Sequence, residues 1–229
     1  MILFCLPYAG GSESIYYRWK KYTNPNIQIE PIRLKGRGSR FGEDFYENLE
    51  EAVNDIFMNI KNKIIDNEYA IFGYSMGSLL AYELYYKILN ENYRIPKHIF
   101  FSAYKAPDVC EKSSSIYKLQ DDEFIKIIIK LGGTPIEVIE NKELLNLAIP
   151  ILRSDFRILE NYVYKKKKEK INCGISILYG KNDNINLTDL LAWKKFTNKE
   201  FKMYNFEDGH FFINNNVEKI IDIVNRTLF

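Results

Sequence analysis

The five residues Gly73-Tyr74-Ser75-Met76-Gly77 join a short apolar run, Tyr69–Phe72, directly to a longer segment, Met76–Leu89, that reads as a helix. A strand that becomes a helix with no loop between them must turn sharply, and the inside of such a turn has no room for side chains. The two glycines meet that demand, because a Cβ at either place would clash with the neighbouring strand or helix. A serine held at the apex projects its hydroxyl above the sheet.

The same strand-then-helix rhythm runs along the chain. Ile2–Leu6, Gln28–Ile32, Ile99–Phe101, Ile175–Tyr179 and Phe201–Phe206 are strand-like apolar runs. Leu49–Ile65 places Val53, Ile56, Phe57, Ile60 and Ile64 on one helical face, and Val217–Leu228 does the same with Val217, Ile220, Ile221 and Val224. Thr188 is placed to cap a helix running through Leu191 and Trp193 to Phe196. Such alternation predicts an α/β chain with a mostly parallel central sheet flanked by helices on both sides. The 229 residues fit one domain, 1–229. Between 107 and 172 the rhythm lapses: no strand pattern is present, while Phe124–Leu131 and Leu144–Tyr162 look helical, with a break or kink expected at Pro150. A helical insertion between two strands reads either as a lid over a pocket or as a fixed cap.

Charge and composition exclude several classes. Thirty-two basic and 30 acidic residues leave a net charge of +2, so no basic field points to nucleic acid. No stretch approaches the about 20 apolar residues that span a bilayer, and the first residues lack the length and basic start of a signal peptide. The three cysteines, Cys5, Cys110 and Cys173, are odd in number and have no metal-ligand spacing. Cys5 and Cys173 sit beside strand-like runs as small apolar residues, which fits a reduced, cytoplasmic compartment. The Lys165–Lys168 run reads as a solvated face.

A serine hydroxyl attacks only when a base takes its proton. Of the two histidines, His98 leads into a strand and reads as structural; His210 lies in Asp208-Gly209-His210-Phe211-Phe212, between the last strand and the last helix, and is the candidate base. An acid that orients the imidazole belongs between serine and histidine in chain order. Asp183, in Gly180-Lys181-Asn182-Asp183 after the strand Ile175–Tyr179, fits that place, at the carboxyl end of a strand. Asp155 is the alternative acid, its other reading being an ion pair with Arg153 or Arg157; Asp208 is too near His210 in sequence to orient it. Two N–H donors would stabilise the oxyanion: that of Met76, at the start of the helix, and one from the glycine-rich Tyr8-Ala9-Gly10-Gly11, with Ala9 preferred over Tyr8. No metal enters this chemistry.

With these residues in view, the chain resembles the external, or type II, thioesterases of nonribosomal peptide and polyketide assembly lines, enzymes of the α/β-hydrolase fold. Leu6-Pro7-Tyr8-Ala9-Gly10-Gly11 looks like their opening motif. Lys35-Gly36-Arg37-Gly38-Ser39-Arg40 resembles their P-G-R-G-x-R segment, with Lys35 in the place of proline. Gly73–Gly77 is similar to their nucleophile motif, and Leu152-Arg153-Ser154-Asp155-Phe156 with Glu160-Asn161-Tyr162 to their lid signature. Gly180–Asp183 and Gly209–Phe212 complete the set. The resemblance implies hydrolysis of acyl thioesters on the 4'-phosphopantetheine arm of carrier proteins, removing misprimed or stalled acyl groups. It implies no cofactor beyond the partner's arm, and acyl or peptidyl carrier domains as partners. Nothing in the sequence points to an obligate oligomer, so a monomer is expected. Readings left open are a thioesterase releasing medium-length chains, a general carboxylesterase, a transacylase, and a non-catalytic binding protein on the same scaffold.

Overall fold

Residues 1–109 and 115–229 are described by a computed structural model; Cys110 lies outside them. The strands are β1 (Ile2–Leu6), β2 (Gln28–Pro31), β3 (Tyr69–Tyr74), β4 (His98–Ser102), β5 (Gly174–Gly180) and β6 (Phe201–Phe206). They form one sheet in the order β2-β1-β3-β4-β5-β6, and every pairing is parallel. Parallel strands covered on both faces are apolar throughout rather than alternating with polar residues. That is why β1, β3 and β4 read as continuous buried runs.

Alternate side chains go to opposite faces. Ile2, Phe4 and Leu6 of β1 join one core with α1 (Leu49–Asp66) and α2 (Met76–Asn90); Leu3 and Cys5 join another with a 3-10 helix, Glu13–Lys21, and α7 (Val217–Leu228). Helix α1 starts where Asn48 accepts a hydrogen bond from the Glu51 N–H at 2.9 Å and buries the face read from its periodicity. Helix α2 buries residues nearly all round, as befits a helix wedged against the sheet centre.

The segment between β4 and β5 is helical, and no strand lies among its described residues: α3 (Asp121–Leu131), α4 (Ile136–Glu140) and α5 (Lys142–Glu160). It has an apolar cluster of its own around Phe124, Ile128 and Leu152. The helix α5 passes through Pro150 as one element, so the break expected there does not interrupt it. A proline removes one donor and crowds the carbonyl four residues before it, but Ala148 and Ile149 on one side and Leu152 and Phe156 on the other are all held in that cluster.

One local expectation needs correcting. Helix α6 (Leu187–Leu191) begins after Asn186 rather than being capped by Thr188, and the chain then tightens into a 3-10 helix, Ala192–Phe196. The 3-10 helix at Glu13–Lys21, which buries Tyr16 and Trp19, and the short α4 had no periodic signal long enough to read. The Lys165–Lys168 run is exposed except for Lys167, which lies 2.6 Å from Glu83 and over the Tyr86 ring.

Candidate active site

The turn between β3 and α2 is as tight as its glycines demand. A Cβ on Gly73 would fall 2.2 Å from the Gly77 carbonyl oxygen, and one on Gly77 would fall 2.3 Å from that of Leu6. Between them Ser75 takes φ 51° and ψ −115°, a conformation that costs an L-residue energy and persists only where the surroundings enforce it. The enforcement is visible. The Ser75 N–H donates to the Ser102 carbonyl at 2.7 Å, and the buried Ser78 hydroxyl lies 2.8 Å from the Gly73 carbonyl and accepts from the Ser102 N–H at 2.9 Å. Ser78 has no part in the motif, yet it ties the elbow to β4.

His210 bridges the other two residues expected with it. Its Nδ1 is 2.8 Å from Asp183 Oδ2 and its Nε2 is 3.1 Å from Ser75 Oγ. An ionised carboxylate only accepts, so Nδ1 carries the proton and Nε2 is free to accept from the serine. The Asp183 side chain is nearly buried while the His210 ring keeps partial exposure. Sequence reasoning overlooked the residue that holds the histidine loop: Tyr74, inside the Gly-x-Ser-x-Gly motif, donates to the His210 carbonyl at 2.5 Å and accepts from the Ile213 N–H at 3.3 Å. Burial pushes the Tyr74 phenol well above its ordinary range, so it stays a donor.

Of the backbone N–H groups expected to face an oxyanion, one follows Ser75 directly in the chain and the others lie in the loop after β1, the strand paired with β3. Met76 opens α2, and its N–H has no turn of helix before it to bond to. In the loop after β1, the Gly11 N–H is taken by the Tyr8 carbonyl at 2.9 Å and the Gly10 N–H by Asp155 Oδ2 at 2.7 Å. Among the described residues nothing takes the N–H of Tyr8 or Ala9, so both candidates keep a free donor.

Asp155 does not reach His210. It is buried against Arg37, both terminal guanidinium nitrogens bonding its carboxylate, Nη2 at 2.6 Å. Neither neighbour in sequence is its partner: Arg153 pairs with Asp121 and Arg157 with Glu47. The structure thus brings Ser75, His210 and Asp183 together and leaves Asp155 elsewhere. His98 is remote as well, with Nε2 2.8 Å from Ser176 Oγ and its pKa lowered to about 4 by burial.

Aromatic rings wall the site. Phe211 lies edge-on to both His210 and Tyr8, with centroids 4.9 and 5.1 Å away. The helical segment closes over them: a Cβ on Gly133 would meet Phe211 Cζ at 2.2 Å, and one on Gly10 would meet Leu152 Cδ2 at 2.5 Å. A shallow cavity of about 660 Å³ lined by Tyr69, Arg94, His98 and Cys173 belongs to the opposite end of the sheet and holds none of these residues. Among the described residues no group of three His, Cys, Asp or Glu side chains is placed to hold a metal ion, and no helix is long and apolar enough to cross a membrane.

Known proteins carry the same architecture. A solved structure, ClbQ from the colibactin NRPS/PKS pathway, superposes with a TM-score of 0.95 at 36% identity, covering 99% of this chain and 96% of that one. The type II thioesterase BorB of the borrelidin biosynthetic cluster superposes with a TM-score of 0.90 at 28% identity, covering 100% and 92%. Linear gramicidin dehydrogenase LgrE of Brevibacillus parabrevis is 34% identical over 232 residues, 100% of this chain and 88% of that protein. The dehydrogenase of that name is said of LgrE. The family model described as a thioesterase domain matches residues 1–228 here. With the parallel sheet, the strained serine turn and the histidine bridge already in place, that match over the α/β-hydrolase fold leaves no other assignment: the chain belongs to the thioesterase domain family.

Proposed function

We propose that the protein is a type II thioesterase that hydrolyses acyl groups from the 4'-phosphopantetheine arm of carrier proteins, clearing misprimed or stalled intermediates in nonribosomal peptide or polyketide synthesis. The observation that carries this reading is His210 bridging Ser75 and Asp183 in a chain of the thioesterase family. Likeness to ClbQ and BorB, proteins of such pathways, supports the substrate class.

Each group has its step. Ser75 Oγ attacks the thioester carbonyl carbon while His210 Nε2 takes its proton; Asp183 holds the tautomer and stabilises the imidazolium. The oxyanion is met by the Met76 and Ala9 N–H groups, worth most where water is excluded. The C–S bond then breaks, and the imidazolium returns its proton to the departing thiol. A thiol with a pKa of about 8.5 leaves far more readily than an alcohol, so this step asks little of His210. Water attacks the Ser75 ester, giving its proton to Nε2, and the acid departs with Ser75 restored. The helices α3, α4 and α5 of the 107–172 insertion act as a lid within a single domain, Phe211 and Tyr8 lining the acyl path beneath it. The reading needs no cofactor of the protein's own, and places a monomer in the cytoplasm beside its carrier protein.

The test is a holo carrier protein loaded with acetyl on its arm, followed by intact-protein mass spectrometry, with an aryl oxyester alongside. Release that outpaces the oxyester and vanishes in Ser75→Ala is the expected outcome. Fast oxyester cleavage with the carrier untouched would make the protein a general esterase, and preference for longer acyl chains a chain-releasing thioesterase.

A further inference from the structure

Arg37 and Asp155 form an ion pair whose side chains are only 2% and 1% exposed, yet the chemistry above makes no use of it. Replacing such a pair by apolar residues of similar volume often leaves stability unchanged or improves it, because removing two charges from water offsets their attraction. Stability alone therefore does not explain what the pair does here. Its remaining contacts do. Asp155 Oδ2 accepts from the Gly10 N–H at 2.7 Å, and Arg37 Nη1 reaches the Gly11 carbonyl at 3.5 Å. The two charges thus grip two successive residues of the loop that carries Ala9. Gly10 sits at φ +80°, where an L side chain is strained, and α5 packs against it through Leu152, so its backbone is held from one more side.

We propose that Asp155 and Arg37 are positioning residues for the oxyanion hole. By turning the Gly10 N–H toward the lid helix, they fix the Tyr8–Gly11 turn in the form that leaves the Ala9 N–H free for the acyl oxygen. Because Asp155 belongs to α5, the seating of that helix and the geometry of the donor are one event: a displaced α5 takes the acceptor of Gly10 with it. The pair touches no reacting atom and acts through Ala9. This inference rests on the proposed Ser75 acyl-enzyme reading.

The test compares wild type, Asp155→Asn and the double variant Arg37→Met with Asp155→Leu, which removes both charges together. Each is assayed for kcat and KM on acetyl-pantetheine and on the acetyl-loaded carrier, with thermal melting and the pH profile of kcat/KM. A displaced oxyanion donor lowers kcat, the loss of one costing about a hundredfold or more elsewhere. The double variant is expected to melt cooperatively, lose about 10- to 100-fold in kcat, and keep KM within about threefold. Its pH midpoint stays in place, because the His210–Asp183 contact is untouched. Asp155→Asn keeps an acceptor for Gly10 and loses less. Wild-type kcat in the folded double variant, a loss confined to KM, or a moved pH midpoint overturns the positioning role. If the double variant does not fold, Asp155→Asn decides by the same split: unchanged kcat overturns it. A wild type without Ser75-dependent release sinks the proposed function itself, which an active wild type with an equally active double variant does not.

Discussion

At the scale of single residues, Tyr74 shows how one side chain serves two elements. Its ring fills the core on one face of the sheet, and its hydroxyl reaches a carbonyl 136 residues later in the chain. Tyr74→Phe keeps the ring and removes the donor. We expect kcat to fall about tenfold through a loosened His210, with about 1 kcal/mol lost from stability, the ordinary net worth of a hydrogen bond. Steady-state kinetics and urea unfolding on the same sample separate the two effects. Asp183→Asn leaves the shape but permits the wrong imidazole tautomer; acyl release should drop about 10⁴-fold, as the same change does in a serine protease. Ser75, His210 and Asp183 were legible because each occupies a motif at the carboxyl end of a strand. Tyr74 and Ser78 were not, since nothing next to them in sequence announces a partner elsewhere in the chain.

At the scale of elements, legibility followed length and period. Val217–Leu228 matched its predicted bounds because Ile220, Ile221 and Val224 repeat at helical spacing, and all three are buried against the second face of the sheet. Ile220→Ala should therefore cost about 2–5 kcal/mol through lost burial and a residual cavity, read as a shift of the urea midpoint at unchanged slope. The stretch after β5 misled because it changes from α to 3-10 geometry within ten residues, and 3-10 turns have a different repeat. Asp155 misled for another reason. Arg153 and Arg157 sit at its own helix, but its partner arrives from the loop after β2, a distance of 118 residues along the chain. Charge pairing between elements leaves no local pattern to read.

The whole molecule divides along its strands. Ser75, Asp183 and His210 gather at their carboxyl ends, while His98 marks the amino end, buried beside Ser176 with Glu200 and Lys202 acting on it. Its pKa of about 4 lies below the unfolded value of 6.5, so the unfolded chain binds the extra proton first. Stability tied to this group is full above pH 6.5 and lost as the pH falls toward 4, on the order of 3 kcal/mol in total. His98→Gln should flatten that acid limb in urea titrations at pH 7 and pH 4.5, with acyl release at neutral pH unchanged. The parallel sheet was foreseeable from alternation alone; the order of its strands was not, because apolar runs do not say which neighbour they choose. That order has a consequence for synthesis. The proposed nucleophile, Ser75, follows the third strand, but Asp183 follows the fifth and His210 the sixth. A domain generally folds as a unit, so on the proposed mechanism Ser75 stays an ordinary alcohol until β6 is paired beside β5. On the proposed mechanism, hydrolytic power thus comes only with completion of the sheet, and a copy that lacks β6 and the loop after it is expected to release no acyl groups.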